Sequence, residues 1–170
     1  MAPDPYYHAF DPDTLQIPGG VIETIYKVDW SHEMYARFGP AGVREFLRIY
    51  YAQLIYIDDQ VGRLLEALDA TGEARNTVVV FTADHGDMMG AHEMLWKSTI
   101  SFYRQIVDIP LIVRYPAKIH SGICDAQVNG VDLMPTFLEL AGVAVPAGIE
   151  GRSLVPLLTG KMTTGINLGG

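Results

Sequence analysis

The residues best suited to chemistry stand close together between positions 84 and 97. Asp84-His85-Gly86 follows a β-branched, apolar run, Thr77-Val78-Val79-Val80-Phe81-Thr82-Ala83. In open α/β sheets ligands bind beyond the carboxyl ends of the strands, so the triplet stands where a site is expected. An adjacent carboxylate and imidazole, one a hard oxygen donor and the other a nitrogen donor, can both reach one divalent ion if the backbone turns sharply, and Gly86 permits that turn. The same triplet could equally serve as a plain strand-ending turn in which Asp84 caps nearby amides. Lys97 follows in a segment that also holds His92 and Glu93. Taken singly, Lys97 reads as a solvated surface lysine. Beside a metal, its ammonium could hold the oxygens of a sulfate or phosphate and stabilise charge that develops in the transition state. His92 and Glu93 read as supporting or structural residues.

Several other chemistries are excluded by spacing. The pairs His32-Glu33 and His92-Glu93 lack a second histidine four positions after the first, where Ala36 and Trp96 stand, so the zinc-protease helix is absent. Lys97-Ser98 is preceded by Trp96 where a phosphate-binding P-loop requires glycine, and no Gly-x-Gly-x-x-Gly occurs.

The elements that must position these residues follow from periodicity. Residues 1–42 are rich in proline, glycine and aromatic side chains, which predicts an irregular lead-in held by packing. From Val43, the residues Phe46, Leu47, Tyr50, Leu54, Ile57, Val61, Leu64, Leu65 and Leu68 recur at steps of three and four. This is an amphipathic helix reaching about Ala70, with Gly72 as its stop. The unalternating apolar run 77–83 predicts a strand buried on both faces of a parallel sheet. Leu111-Ile112-Val113, between Pro110 and Pro116, predicts a second strand. Val131 to Leu140 predicts a loop entering a helix, with Pro135 in its first turn and Gly142 past its end. Helix, strand, loop, strand and helix in that order fit an α/β layer architecture.

Composition narrows the class further. With 49% hydrophobic and 19% charged residues, the 170 residues can bury one ordinary core and read as one domain or a piece of one. A net charge of −8 argues against nucleic acid as a partner, which needs clustered Lys and Arg. A small anionic substrate stays compatible, because a metal ion reverses the local sign. Cys124 is the single cysteine, so no internal disulfide forms and the compartment stays undecided. No apolar run approaches a membrane span, and the first residues lack the basic and apolar regions of a signal peptide.

Four stretches taken together resemble sulfatases of the alkaline-phosphatase-like superfamily. They are Tyr51 to Leu65, with Tyr56-Ile57-Asp58-Asp59-Gln60-Val61-Gly62 at its centre; Asn76 to Asp87; Ile109 to Pro116; and Val131 to Phe137 together with Gly151 to Leu158. The resemblance spans about residues 43–160 in the family's order and spacing, leaving 161–170 as a tail. It implies an alkaline-phosphatase-like three-layer α/β/α sandwich, present here in part. Asp84 and His85 would be two ligands of the catalytic divalent cation, most often Ca2+, with His85 where many members carry Asn; Mn2+ and Mg2+ also suit a site with a nitrogen ligand. Lys97 would contact the sulfate oxygens, with His92 beside it in substrate binding, where the family's Gly-Glu-His becomes Gly90-Ala91-His92. The substrate class so implied is a small-molecule or glycan sulfate ester.

The same resemblance implies parts that these residues do not contain. The formylglycine nucleophile arises from Cys-x-Pro-x-Arg or Ser-x-Pro-x-Arg; after Cys124 stand Ala126 and Val128 in place of Pro and Arg, and no serine begins such a motif. The first pair of aspartate ligands belongs to the same N-terminal half of the fold, which is therefore an expected partner. Pro3-Asp4-Pro5-Tyr6-Tyr7 resembles the stretch shortly after the family's His-x-Pro-His region. Two further readings stay open: a phosphonate monoester or phosphodiester hydrolase of the same superfamily, and a non-catalytic truncated paralogue.

Overall fold

The structure, a computed structural model, describes residues 3–27, 29–98 and 100–160; the tail expected at 161–170 lies outside them. The longest element is helix α1, Trp30–Ala70, and it starts earlier than periodicity predicts. Asp29 caps it, its carboxylate accepting the Ser31 amide at 2.8 Å. The helix breaks once, at Gly39 (φ 63°, ψ 178°), directly before Pro40. Proline disfavours helical geometry in the residue before it and suits the first turn of the helix that resumes, so Gly39-Pro40 splits α1 without ending it. The irregular lead-in expected up to residue 42 therefore stops at Asp29, because a cap and a tolerated break look like loop signals in sequence. At the other end Gly72 takes the left-handed conformation expected of the stop (φ 76°).

Short 3-10 turns at Tyr6–His8 and Pro12–Thr14 carry the lead-in along α1, and a third follows at Thr24–Tyr26. It is tied down by polar contacts. Tyr6 donates its hydroxyl to Asp59 (2.6 Å) and Tyr7 donates to Glu45 (2.7 Å), while the Arg48 guanidinium pairs with Glu45 and lies 4.0 Å over the Tyr7 ring. On the buried face, Val43 and Leu47 of α1 pack on Leu95, with Leu15, Ile17 and Phe46 around them. Farther along the same stripe, Leu54, Ile57 and Leu64 are exposed.

The strands are shorter than predicted and are not buried on both faces. β1 is Val79–Thr82 and β2 is Leu111–Arg114, hydrogen-bonded as a two-stranded sheet. Phe81 is 42% and Ile112 62% exposed. A strand pair can bury both faces only if layers cover it on each side, and among the described residues that cover is partial. Between the strands lies the short helix α2, Arg104–Val107.

By its contacts the chain divides into two units, Met1–Thr71 with Thr82–Leu111, and Gly72–Phe81 with Ile112–Gly170. The second unit is organised by Asp132, just before helix α3, Leu133–Leu140. One of its carboxylate oxygens accepts the Asn129 amide and the other the Arg152 amide, each at 2.8 Å. Thr136, buried on α3, accepts the Leu154 amide at 2.8 Å, ahead of helix α4, Val155–Leu158. The two distant stretches at 131–137 and 151–158 thus form one hydrogen-bonded assembly, with a structural role for Asp132.

Candidate metal and sulfate site

Asp84 and His85 lie just past the end of β1, and the reason lies in the backbone that follows. The Gly86 amide donates to the Ile106 carbonyl at 2.8 Å, and a Cβ at Gly86 would stand 1.9 Å from the Gln105 carbonyl oxygen. Gly86 does not take a positive φ. Its requirement is therefore room for the backbone to dock on α2, in place of the sharp turn expected from sequence.

The side chains at 84 and 85 come together. Asp84 Oδ1 accepts the His85 amide at 2.9 Å, so one oxygen does perform the turn-capping role, while Oδ2 faces His85 Nε2 at 3.6 Å. His85 Nδ1 lies 2.7 Å from the Gly86 carbonyl oxygen. A carbonyl only accepts, so Nδ1 carries the proton, and in the neutral ring the lone pair sits on Nε2. Two donors each about 2.4 Å from a calcium-sized ion, at roughly a right angle, stand about 3.4 Å apart. The 3.6 Å between Oδ2 and Nε2 is close to that spacing, with a hard oxygen donor on one side and a softer nitrogen on the other. The Asp84 side chain is 88% exposed and that of His85 39%. Among the described residues no group of three or more His, Cys, Asp or Glu side chains converges, so this pair is an incomplete coordination set.

Asp87, which sequence reasoning passed over, is the other carboxylate of this turn. Burial pushes its pKa up, while the amide of Met89, donating to it at 2.9 Å, pulls the other way. The signal for it was its place two residues after a histidine donor, but only the fold makes it half-buried.

Lys97 is exposed and, among the described residues, pairs with no carboxylate. The loop that carries it has no strand or α-helix, only a 3-10 turn at Ala91–Glu93. Met88 donates its amide to Trp96 (3.0 Å) and Gly90 to Met94 (2.9 Å), and Met88, Met94 and Leu95 are wholly buried. Met89, His92, Glu93 and Trp96 all have φ near 50°, a left-handed backbone that costs side-chain-bearing residues about 1 to 3 kcal/mol each. Such a loop persists only because the packing beneath it determines it. His92 is part of that packing: its ring stacks on Tyr103 at 4.0 Å between centroids, and Nδ1 donates to the Val21 carbonyl at 3.2 Å. The structure thus joins Asp84 with His85 and engages His92 elsewhere through its ring face and Nδ1.

The sequence pattern of the family described as Sulfatase matches residues 3–143. The chain belongs to the sulfatase family. It is 38% identical over 122 residues to an N-acetylglucosamine-6-O-sulfatase of Bacteroides thetaiotaomicron, covering 71% of this chain and 22% of that protein. To arylsulfatase K of Xenopus laevis it is 34% identical over 150 residues, covering 86% and 28%. The chain thus spans about a quarter of the length of these curated relatives. Among solved structures it resembles the phosphonate monoester hydrolase SpPMH of Silicibacter pomeroyi, with a TM-score of 0.82, 28% identity and coverage of 94% of this chain and 35% of that one. It also resembles BT4656, solved with its substrate D-glucosamine-2-N,6-O-disulfate, with a TM-score of 0.64, 34% identity and coverage of 76% and 26%. The fold is accordingly alkaline-phosphatase-like, of which these residues form part. No helix among the described residues is long and apolar enough to cross a membrane.

Proposed function

We propose that this chain forms one side of the active site of a metal-dependent sulfatase and hydrolyses sulfate esters together with the polypeptide that supplies the rest of the fold. The observation that carries this reading is the approach of Asp84 Oδ2 and His85 Nε2 to 3.6 Å, with the histidine tautomer set by the Gly86 carbonyl. A cation held there, calcium first and manganese or magnesium next, would supply Lewis-acid polarisation of the ester and charge stabilisation. Asp84 brings the negative charge that balances the ion. Lys97 holds a sulfate oxygen through its ammonium, and His92 offers the substrate only Nε2, since Nδ1 is committed. The formylglycine nucleophile and the remaining ligands belong to the partner half, because hard cations of the calcium class take six or more donors. The substrate is a sulfate ester, and the relatives that act on sulfated sugars favour a glycan.

A second reading rests on the resemblance to SpPMH: a phosphonate monoester hydrolase built on the same metal pair. The test is made on the complete enzyme, meaning this chain joined to the rest of its domain. Aryl sulfate, phosphonate monoester and phosphodiester substrates are compared, with Ca2+ affinity measured in parallel. A sulfatase hydrolyses the aryl sulfate fastest, and Asp84→Ala and His85→Ala each lower both that rate and the metal affinity. Preference for the phosphonate selects the second reading, and a complete protein that binds metal but turns over none of the three is a non-catalytic paralogue.

A further inference from the structure

Lys97 stands between two residues that are both fastened to the first turns of α1. On one side Trp96 stacks on Trp30, 5.6 Å between ring centroids, and meets Phe38 and Phe46 edge-on. On the other, the buried Ser98 donates its hydroxyl to Asp29 Oδ2 at 2.8 Å and accepts the amides of Ser101 (2.9 Å) and Ile100 (3.2 Å). Asp29 is buried as well, and its other oxygen caps α1 through the Ser31 amide. The Leu95 amide reaches the Ser31 carbonyl at 3.2 Å, closing the clasp from the far side of Trp96.

A lysine holds an anion with a point charge on a long flexible stem, so where its ammonium falls depends on how firmly its Cα is held. Burying a carboxylate is costly, and an apolar pair of the same volume would stabilise the loop as well or better. What the polar pair adds is direction: a hydroxyl that donates to one group while accepting two amides has one arrangement. We propose that Ser98 and Asp29 are positioning residues for Lys97, their hydrogen bond setting the backbone from which the ammonium meets the sulfate. This rests on the role given to Lys97 above.

The test uses the complete, calcium-loaded enzyme carrying Lys97→Ala, Ser98→Ala, both together, or Ser98→Thr. It reads kcat/KM on an aryl sulfate, the calorimetric Kd for inorganic sulfate, and the thermal midpoint. Lys97→Ala lowers kcat/KM by about 10²-fold or more, as loss of one preorganised charge does. Ser98→Ala lowers it about tenfold and weakens sulfate binding several-fold, a misplacement effect, and Ser98→Thr, which keeps the hydroxyl, restores both. Added to Lys97→Ala, the Ser98→Ala change has no further effect on either. If the two losses multiply, or if Ser98→Ala moves only the thermal midpoint, the clasp has no positioning role. If Lys97→Ala changes neither rate nor sulfate affinity, the role of Lys97 falls first and the proposal falls with it. Should Ser98→Ala fail to fold, Asp29→Asn, nearly identical in shape, carries the same comparison.

Discussion

The loop at 86–98 and the strand pair β1/β2 reverse the usual relation between regular structure and burial. The loop has no strand and no α-helix, yet Met88, Met94 and Leu95 within it are fully buried and Ala91 nearly so. The strands, shorter than their sequence pattern predicts, leave Phe81 and Ile112 substantially exposed. Burial here follows what lies against a segment, and α1 with its lead-in lies against the loop. The strands of this family are covered by layers, and the chain spans about a quarter of its curated relatives' length. The loop that carries Lys97 is therefore covered within these residues, whereas the strands before Asp84 are covered only in part.

The comparison breaks most directly on the isolated 170 residues. They should show no cooperative thermal transition as a monomer and no measurable aryl sulfate turnover, while the complete enzyme shows both; a sharp monomeric transition, or turnover abolished by Asp84→Ala, would remove the contrast. Next in size, Leu95→Ala in the complete enzyme should cost about 2 to 5 kcal/mol in denaturant unfolding, the range for emptying a packed core position. Ile112→Ala in the isolated chain should leave solubility and dye binding almost unchanged, because its side chain is already in water. A smaller and more local effect is expected of Gly86→Ala. Its new Cβ would collide with the Gln105 carbonyl and displace the Asp84-His85 turn, lowering Ca2+ affinity by about 10- to 100-fold, the range for losing a ligand's supporting contacts. Unchanged calcium affinity in a folded Gly86→Ala protein would separate the turn from the metal site.

The smallest effect concerns the strapped lead-in. The Arg48 guanidinium hydrogen-bonded to Glu45 holds that carboxyl below the ordinary glutamate range. The folded protein then binds this proton more weakly than the unfolded chain. The stabilisation is complete above the ordinary glutamate pKa and is lost as pH falls through the lower folded-state value. In the complete enzyme Glu45→Gln should flatten that part of the acid limb of stability by about a few tenths of a kcal/mol, the scale of an ion pair whose carboxylate stays partly exposed. An acid limb identical to that of the parent would show that the ion pair contributes nothing.

Much of the fold was legible because it is local. The heptad-like spacing from Val43 to Leu68, the β-branched run before Asp84, and Pro135 and Gly142 bracketing α3 each encode an element through nearest-neighbour sterics and periodicity. The first turns of α1 were missed because Gly39-Pro40 carries the same local signal whether a helix ends or merely breaks. Gly86 was legible as a special position, but for a different reason than the one found, since close approach to Gln105 depends on a segment nearly twenty residues away. Asp132 drew attention through its motif, and only its hydrogen bonds to residues 129 and 152 reveal a structural hub.

The order of elements and the family follow from residue types and short spacings alone, and the same spacings set Asp84 and His85 side by side as candidate donors. Tertiary structure decided which histidine nitrogen is left free, that His92 stacks on Tyr103, and that Ser98 reaches Asp29 across sixty-nine positions of chain. Hydrogen bonds and ring contacts are satisfied in space, and a chain that folds back on itself can bring together partners that no local pattern names.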